Sequence, residues 1–310
     1  MRERQAWVLT GPTGVGKTAI AHQLAKQFNA VALCADSMAI YRHMDIGTAK
    51  PEPALQIEVP YCGINLVDPN EAFSVGAFVH AARRAVEEAE ALGRPLLVVG
   101  GTGLYISALL RGLDVQSEPD PLRRAHWERV WEEGGLQGLQ DALRKLDESA
   151  FQRLADPQNP RRVIRALERA EAGETSASWS ERHLRPVVGL RMEPAPLRER
   201  IEARARAMFE EGLVEEARGI RARWPELSPT ARHAIGYAEA FAVLDGECDE
   251  DAARAQTVKR TWSLARRQMT WLRHQIPVSW VDVAPGMTVE EQVACVRRQW
   301  EQDGPSTLYL

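Results

Sequence analysis

The sequence predicts an α/β protein: a P-loop-type parallel sheet core flanked by helices, with an all-helical insertion domain. Three observations carry this. A glycine-rich run, Gly11-Pro12-Thr13-Gly14-Val15-Gly16-Lys17-Thr18, stands between an apolar stretch and a helical pattern. Short apolar runs of strand length then alternate with amphipathic stretches, the pattern of a sheet built from crossover units. Strand character stops near Val115 and returns only after His183. The 310 residues therefore divide into a first part of the core at 1–114, a helical insertion at 115–183 and a second part of the core at 184–310. A hydrophobic content of 45% is ample for a core of that size.

The first strand is centred on Trp7-Val8-Leu9. The run that follows fits G-x-x-x-x-G-K-[ST], and the next helix carries Ile20, Ala21, Leu24 and Ala25 on one face. Its glycines let successive backbone N–H groups turn toward phosphate oxygens, the helix adds its positive end, Lys17 adds a point charge, and the Thr18 hydroxyl is placed for Mg²⁺. A bound di- or triphosphate is the expectation. The second strand, Val31 to Ala35, ends in Asp36-Ser37, at the strand end where open α/β sheets hold ligands, so Asp36 is a candidate catalytic residue as well as a candidate helix or turn cap. Residues 38–51 lack helical period and read as a loop shaped around something. Ser74 to Leu92 reads as a helix capped by Ser74 and stopped by Gly93. The buried strand Leu96 to Val99 runs into Gly100-Gly101-Thr102-Gly103, where a phosphoryl-transfer enzyme would carry a metal-holding acid.

Within the insertion, Leu122 to Trp131, Leu136 to Leu146 and Val163 to Ala172 read as helices separated by Gly134-Gly135 and by 156–160. Arg161, Arg165 and Arg169 form one stripe there, with Arg162 beside them; it is either a solvated face or a phosphate contact. Strands return at Val187 to Arg191 and Val278 to Val283. Between them run helices from Leu197 to Phe209 and from Asp249 to His274, the latter with cations around Trp262 and Trp271 that suit core packing or a nucleic-acid groove. Residues after Gln302 are expected to fray. Cys34, Cys62, Cys248 and Cys295 show no metal or disulfide spacing and are expected as buried, reduced thiols. A net charge of −4 gives no global sign of nucleic-acid binding, which would have to rest on local patches. With no leader and no apolar run of membrane length, the expected location is cytoplasmic.

Taken together, these blocks resemble the tRNA dimethylallyltransferase (tRNA isopentenyltransferase) family. The resemblance is carried by 11–18, by Asp36-Ser37 with Tyr41 and the run 45–51, by 100–105, by Arg162-Val163-Ile164-Arg165-Ala166-Leu167-Glu168, by Ile235-Gly236-Tyr237 and by Arg267-Gln268-Met269-Thr270-Trp271-Leu272-Arg273, in the family's order along nearly the whole chain. It implies transfer of a dimethylallyl group from dimethylallyl diphosphate to N6 of the adenosine 3′ of a tRNA anticodon. It also implies site roles. Asp36 is the base, Thr102 lies near the reacting centre, and Lys17 and Arg204 join the backbone of Gly11, Pro12, Thr13, Gly14, Val15, Gly16 and Thr18 on the diphosphate, with Mg²⁺ at Thr18. The anticodon stem-loop falls to Asp36, Ser37, Met38, Ala39, Thr102, Arg161, Arg162, Arg165, Arg232, Gly236 and Tyr237. Ala39 departs from the Gln often found there, which leaves any side-chain contact of that Gln without a counterpart. A monomer without membrane attachment is the expected state. An ATP-dependent small-molecule kinase, a prenyltransferase acting on free adenine nucleotides, and a non-catalytic RNA-binding or phosphate-sensing module remain the alternatives on the residues alone.

Overall fold

The computed structural model describes residues 3–112, 120–154, 156–173 and 184–310. The chain forms two compact units, Met1–Leu113 with Arg182–Leu310, and Asp114–Glu181. The expected insertion boundaries, near 115 and 183, lie outside the described residues.

The first unit opens with β1 (Glu3–Thr10), α1 (Lys17–Phe28), β2 (Val31–Cys34), α2 (Pro53–Glu58), β3 (Tyr61–Cys62), α3 (Val75–Ala91), β4 (Leu96–Gly100) and α4 (Gly103–Arg111). Local chemistry sets several of these limits. Ser74 Oγ accepts the Ala77 amide at 3.1 Å to start α3, and Gly93 at φ 63° lets the chain leave it.

The second unit contains α5 (Pro121–Gln152), which bends at Gly135 and Asp147, and α6 (Pro160–Glu171), capped by Asn159. Trp127, Leu139, Leu143, Val163, Ile164 and Leu167 make its own core. The buried Glu168 carboxylate receives Arg124 and Arg165; burial pushes its pKa up, but the two guanidinium bonds outweigh burial and hold it below the usual range.

The chain then returns to the first unit as β5 (Val187–Arg191), α7 (Pro194–Glu210), α8 (Leu213–Arg223), α9 (Pro229–Arg232), α10 (Tyr237–Leu244), α11 (Glu250–Gln275), β6 (Val278–Asp282), α12 (Val289–Asp303) and β7 (Ser306–Tyr309). The strand order is β3-β2-β4-β1-β5-β6, all parallel, with β7 antiparallel on β1. Alternate residues of each central strand bury opposite ways. Val8 and Val98 face a layer with α3 and α4, while Leu9 and Leu97 face one with α1 and α12. Chain order leaves β1 for β2 and later fills the gap with β4, so the loops after β1, β2 and β4 converge at one sheet edge.

Two expectations need correction. The chain end does not fray: β7 takes the N-terminal half of β1 and drives Leu308 and Leu310 into the core. Leu308→Ala, at 0% exposure, is expected to cost about 2–5 kcal/mol, read as a lowered urea midpoint, whereas a frayed end would give no change. The four cysteines are unpaired but only partly buried. Among the described residues no helix is long and apolar enough to cross a membrane.

Candidate active site

The turn after β1 begins the site. Gly16 caps α1 at φ 101°, in the left-handed region, and a Cβ there would lie 3.0 Å from Arg200 Nη2. Lys17 folds back over the loop, its Nζ donating to the Pro12 carbonyl at 2.8 Å. Arg204 reaches in from α7 and donates from Nη1 to Thr13 Oγ1 at 3.2 Å. Its buried Nε has no hydrogen-bond partner among the described residues. Burial lowers the pKa of both cations. For Lys17, burial and the Arg204 charge outweigh Asp36 and Cys34 and bring it to about 8; for Arg204, burial outweighs Asp36. Two desolvated cations and an unspent donor beside the amides of a helix N-terminus form a site that favours a polyanion. The Cys34 thiol nearby is pushed up to about 12, mainly by burial and then by the Asp36 charge, so it stays neutral and is no nucleophile.

The second edge comes from the ends of β2 and β4. Asp36 Oδ1 accepts the Met38 amide at 2.8 Å, and Oδ2 makes no hydrogen bond among the described residues. Thr102 Oγ1 accepts from the Ser37 amide at 3.0 Å, and the Thr102 amide donates to Ala35 O at 3.2 Å. This lacing explains the glycine pair. A Cβ at Gly100 would lie 2.1 Å from Ala35 O, and one at Gly101 would lie 2.6 Å from Gln268 Nε2.

Two cavities meet here. One, of about 460 Å³, is lined by the glycine-rich turn with Lys17, Thr18, Lys50, Arg200 and Arg204. The other, of about 540 Å³, has an apolar wall that includes Ile201, Met208, Leu264 and Trp271. Thr13, Asp36, Thr48, Arg204 and Gln268 line both. A cationic chamber and an apolar one thus share a wall that carries a carboxylate. Beside the apolar cavity, Arg266, Thr270 and His274 line an open ledge of about 720 Å³ on α11, with Arg267 and Trp271 bordering both. Arg4, Arg42 and Arg191 pair with Glu90, Asp68 and Asp282, whereas Arg266 and the nearby Arg273 make no ion pair among the described residues.

The structure brings together Lys17, Thr18, Asp36, Ser37, Met38, Thr102, Arg204 and the turn at 11–16. Gly11 and Pro12 are buried, and Val15 points into the core, so Gly11 and Val15 can offer a ligand only backbone; Pro12 has no N–H and its carbonyl takes Lys17, and the Thr13 amide is held by Gln268, so neither of these gives a phosphate a backbone donor here. Ala39 is buried at the edge of the cationic cavity. Tyr237 is also buried. Its hydroxyl donates to Glu216 and accepts from the Gly47 amide, and Glu216 takes the Asp45 and Ile46 amides, so Gly236-Tyr237 steadies the turn leading to Thr48. Arg232 is exposed. Arg161, Arg162 and Arg165 belong to the second unit, the first two exposed and Arg165 bonded to Glu168. Sequence reading missed Thr48, Gln268 and the apolar wall; Gln268 stood inside a recognised block without a role.

Residues 39–275 match the model of the family described as IPP transferase. The chain is 38% identical to a tRNA dimethylallyltransferase of Latilactobacillus sakei, over 96% of each chain. It is 36% identical to a tRNA dimethylallyltransferase of Bacillus licheniformis, covering 92% of this chain and 93% of the other. A crystal structure of a full-length tRNA isopentenylpyrophosphate transferase from Bacillus halodurans superposes with a TM-score of 0.69 at 34% identity, over 97% of this chain and 98% of that one. A eukaryotic dimethylallyltransferase solved acting on tRNA shares the fold, with a TM-score of 0.73 at 22% identity over 96% of this chain and 76% of the other.

Proposed function

The chain belongs to the IPP transferase family, and from that premise we propose that it transfers a dimethylallyl group from dimethylallyl diphosphate to N6 of the adenosine 3′ of a tRNA anticodon, releasing diphosphate. One observation carries this reading: the cationic and apolar cavities share the wall that holds Asp36. The diphosphate occupies the first, with its allylic carbon at the shared wall, and the adenine enters through the second. As the allylic C–O bond breaks, its electrons pass to the diphosphate, where the turn amides, Lys17 and Arg204 meet the developing charge. The N6–C bond forms on the other side, and the N6 proton passes to Asp36 Oδ2. A phosphoryl-transfer reading would want an acid where β4 ends, and Gly100 stands there.

Mg²⁺ fits the donors present. Thr18 offers an exposed hydroxyl oxygen into the cationic cavity, and a magnesium ion held by few protein groups takes its remaining oxygens from phosphate and water. When bound, it would neutralise charge on the diphosphate.

The tRNA is the larger substrate, and its target base must leave the anticodon-loop stack to reach the cavity. The helical insertion, with Arg161, Arg162 and Arg165, and the core residues Arg232, Arg266 and Arg273 are the proposed phosphate contacts. A single chain lines both cavities, which suits a monomer, and a tRNA substrate suits a cytoplasmic enzyme. Arg266→Glu is expected to raise KM for tRNA about tenfold and to lower the slope of log KM against log salt by about one, with KM for dimethylallyl diphosphate unchanged. Equal effects on both substrates would remove Arg266 from the RNA path.

The direct test incubates the protein with Mg²⁺, dimethylallyl diphosphate and unmodified tRNA, then digests the RNA and weighs its nucleosides. N6-dimethylallyl adenosine supports the reading. Its absence, together with ATP turnover on a small acceptor, would replace it with a kinase.

A further inference from the structure

Gln268 projects from the C-terminal half of α11 into the seam between the two cavities. Its Oε1 accepts from the Thr13 amide at 2.7 Å, and its Nε2 donates to the Gly101 carbonyl at 3.0 Å. One partner can only donate and the other can only accept, so the amide has one orientation that satisfies both. The two partners belong to different halves of the site. Thr13 lies in the phosphate turn and takes Arg204 on its hydroxyl. Gly101 immediately precedes Thr102, whose hydroxyl holds the Ser37 amide next to Asp36. The fit is close, since any Cβ at position 101 would meet Nε2 at 2.6 Å.

Resting on the reading above, we propose that Gln268 is a positioning residue: its side-chain amide sets the separation between the leaving-group cradle and the Asp36–Thr102 edge, and so holds the allylic carbon within reach of N6. A group with this task governs the chemical step more than the binding of either substrate, because each substrate is held by its own half-site. Loosening it also has a chemical signature. If the diphosphate departs before N6 is in line, water attacks the allylic carbon, a C–O bond to water forms, its proton goes to solvent, and dimethylallyl alcohol and diphosphate are released without transfer.

The test compares wild type with Gln268→Met, which keeps length and packing but makes neither hydrogen bond, and with Gln268→Glu, which keeps the acceptor for Thr13 and loses the donor to Gly101. For each, kcat, both KM values and the ratio of diphosphate released to prenyl adenosine formed are measured, with inorganic pyrophosphate binding as the check on the cradle. Wild type should give a ratio of one. Gln268→Met should lose about 10–100-fold in kcat with KM values changed less than about threefold, and should release excess diphosphate. Gln268→Glu should fall between the two. If the Met variant does not fold, excess diphosphate release by Gln268→Glu alone decides the matter. Unchanged kcat with a ratio of one, or a loss confined to KM, overturns the positioning role. No prenyl transfer by wild type would instead overturn the reading on which it rests.

Discussion

Asp36→Asn is expected to lower kcat for prenyl transfer by about 10²–10⁴-fold while the donor still binds. The exocyclic nitrogen of adenine is a weak nucleophile because its lone pair is delocalised into the ring, and it must shed a proton as the new bond forms. Asp36 is the carboxylate placed at the wall between the two cavities, with one oxygen fixed by the Met38 amide and the other carrying no hydrogen bond among the described residues. Asparagine can keep the Met38 bond through its own carbonyl oxygen, so the loop is not disturbed, but it cannot accept the proton. Charge adds a condition to the measurement. Asp36 helps to keep both Lys17 and Arg204 protonated, so its removal lowers the Lys17 pKa further below about 8. Donor binding should therefore be compared near pH 6.5–7, where the lysine is still charged in both proteins. Single-turnover transfer within tenfold of wild type would mean that another group takes the proton.

What could be read in the sequence was whatever local chemistry determines. The helix from Ser74 to Gly93 was legible because its cap and its stop lie within its own few residues, and Asp36 because it ends a strand beside the glycine-rich turn. The bend of α5 at Gly135 follows from the Gly134-Gly135 pair in the same way. β7 was not legible, since Ser306–Tyr309 is a strand only because β1 offers an edge, nearly the full chain length away. Gln268 is the same case within the site. Its partners lie 255 and 167 positions distant, so although it stood inside a recognised block, nothing in the local chemistry gave it a role. Much of the apolar chamber's wall comes from α7 and α11, whose inward residues have the sequence pattern of ordinary core.

Lys17→Met is expected to reduce kcat/KM for dimethylallyl diphosphate by about 10²–10³-fold, the effect of removing one donor aimed at a developing negative charge. The same substitution should stabilise the empty protein near pH 7, because burial is the main reason the Lys17 pKa drops from 10.5 to about 8, and a charged lysine there opposes folding. The sign follows from proton counting. Between about pH 8 and 10.5 the unfolded chain holds the proton that folded Lys17 has released, so stability from this group rises with pH across that window, and the methionine variant lacks the rise. The diphosphate acts in the opposite direction, since an anion against Nζ favours the charged form and raises its pKa. Binding above about pH 8 must then take up a proton, and donor affinity should fall with pH, by up to about tenfold per unit, until the pKa of the complex is reached. Titration calorimetry of dimethylallyl diphosphate at pH 9, in two buffers of different ionisation heat, should show this uptake in wild type and lose it in Lys17→Met; the donor's own phosphates are already ionised there. A pH-independent affinity in wild type would leave Arg204 and the turn amides as the whole of the anion site.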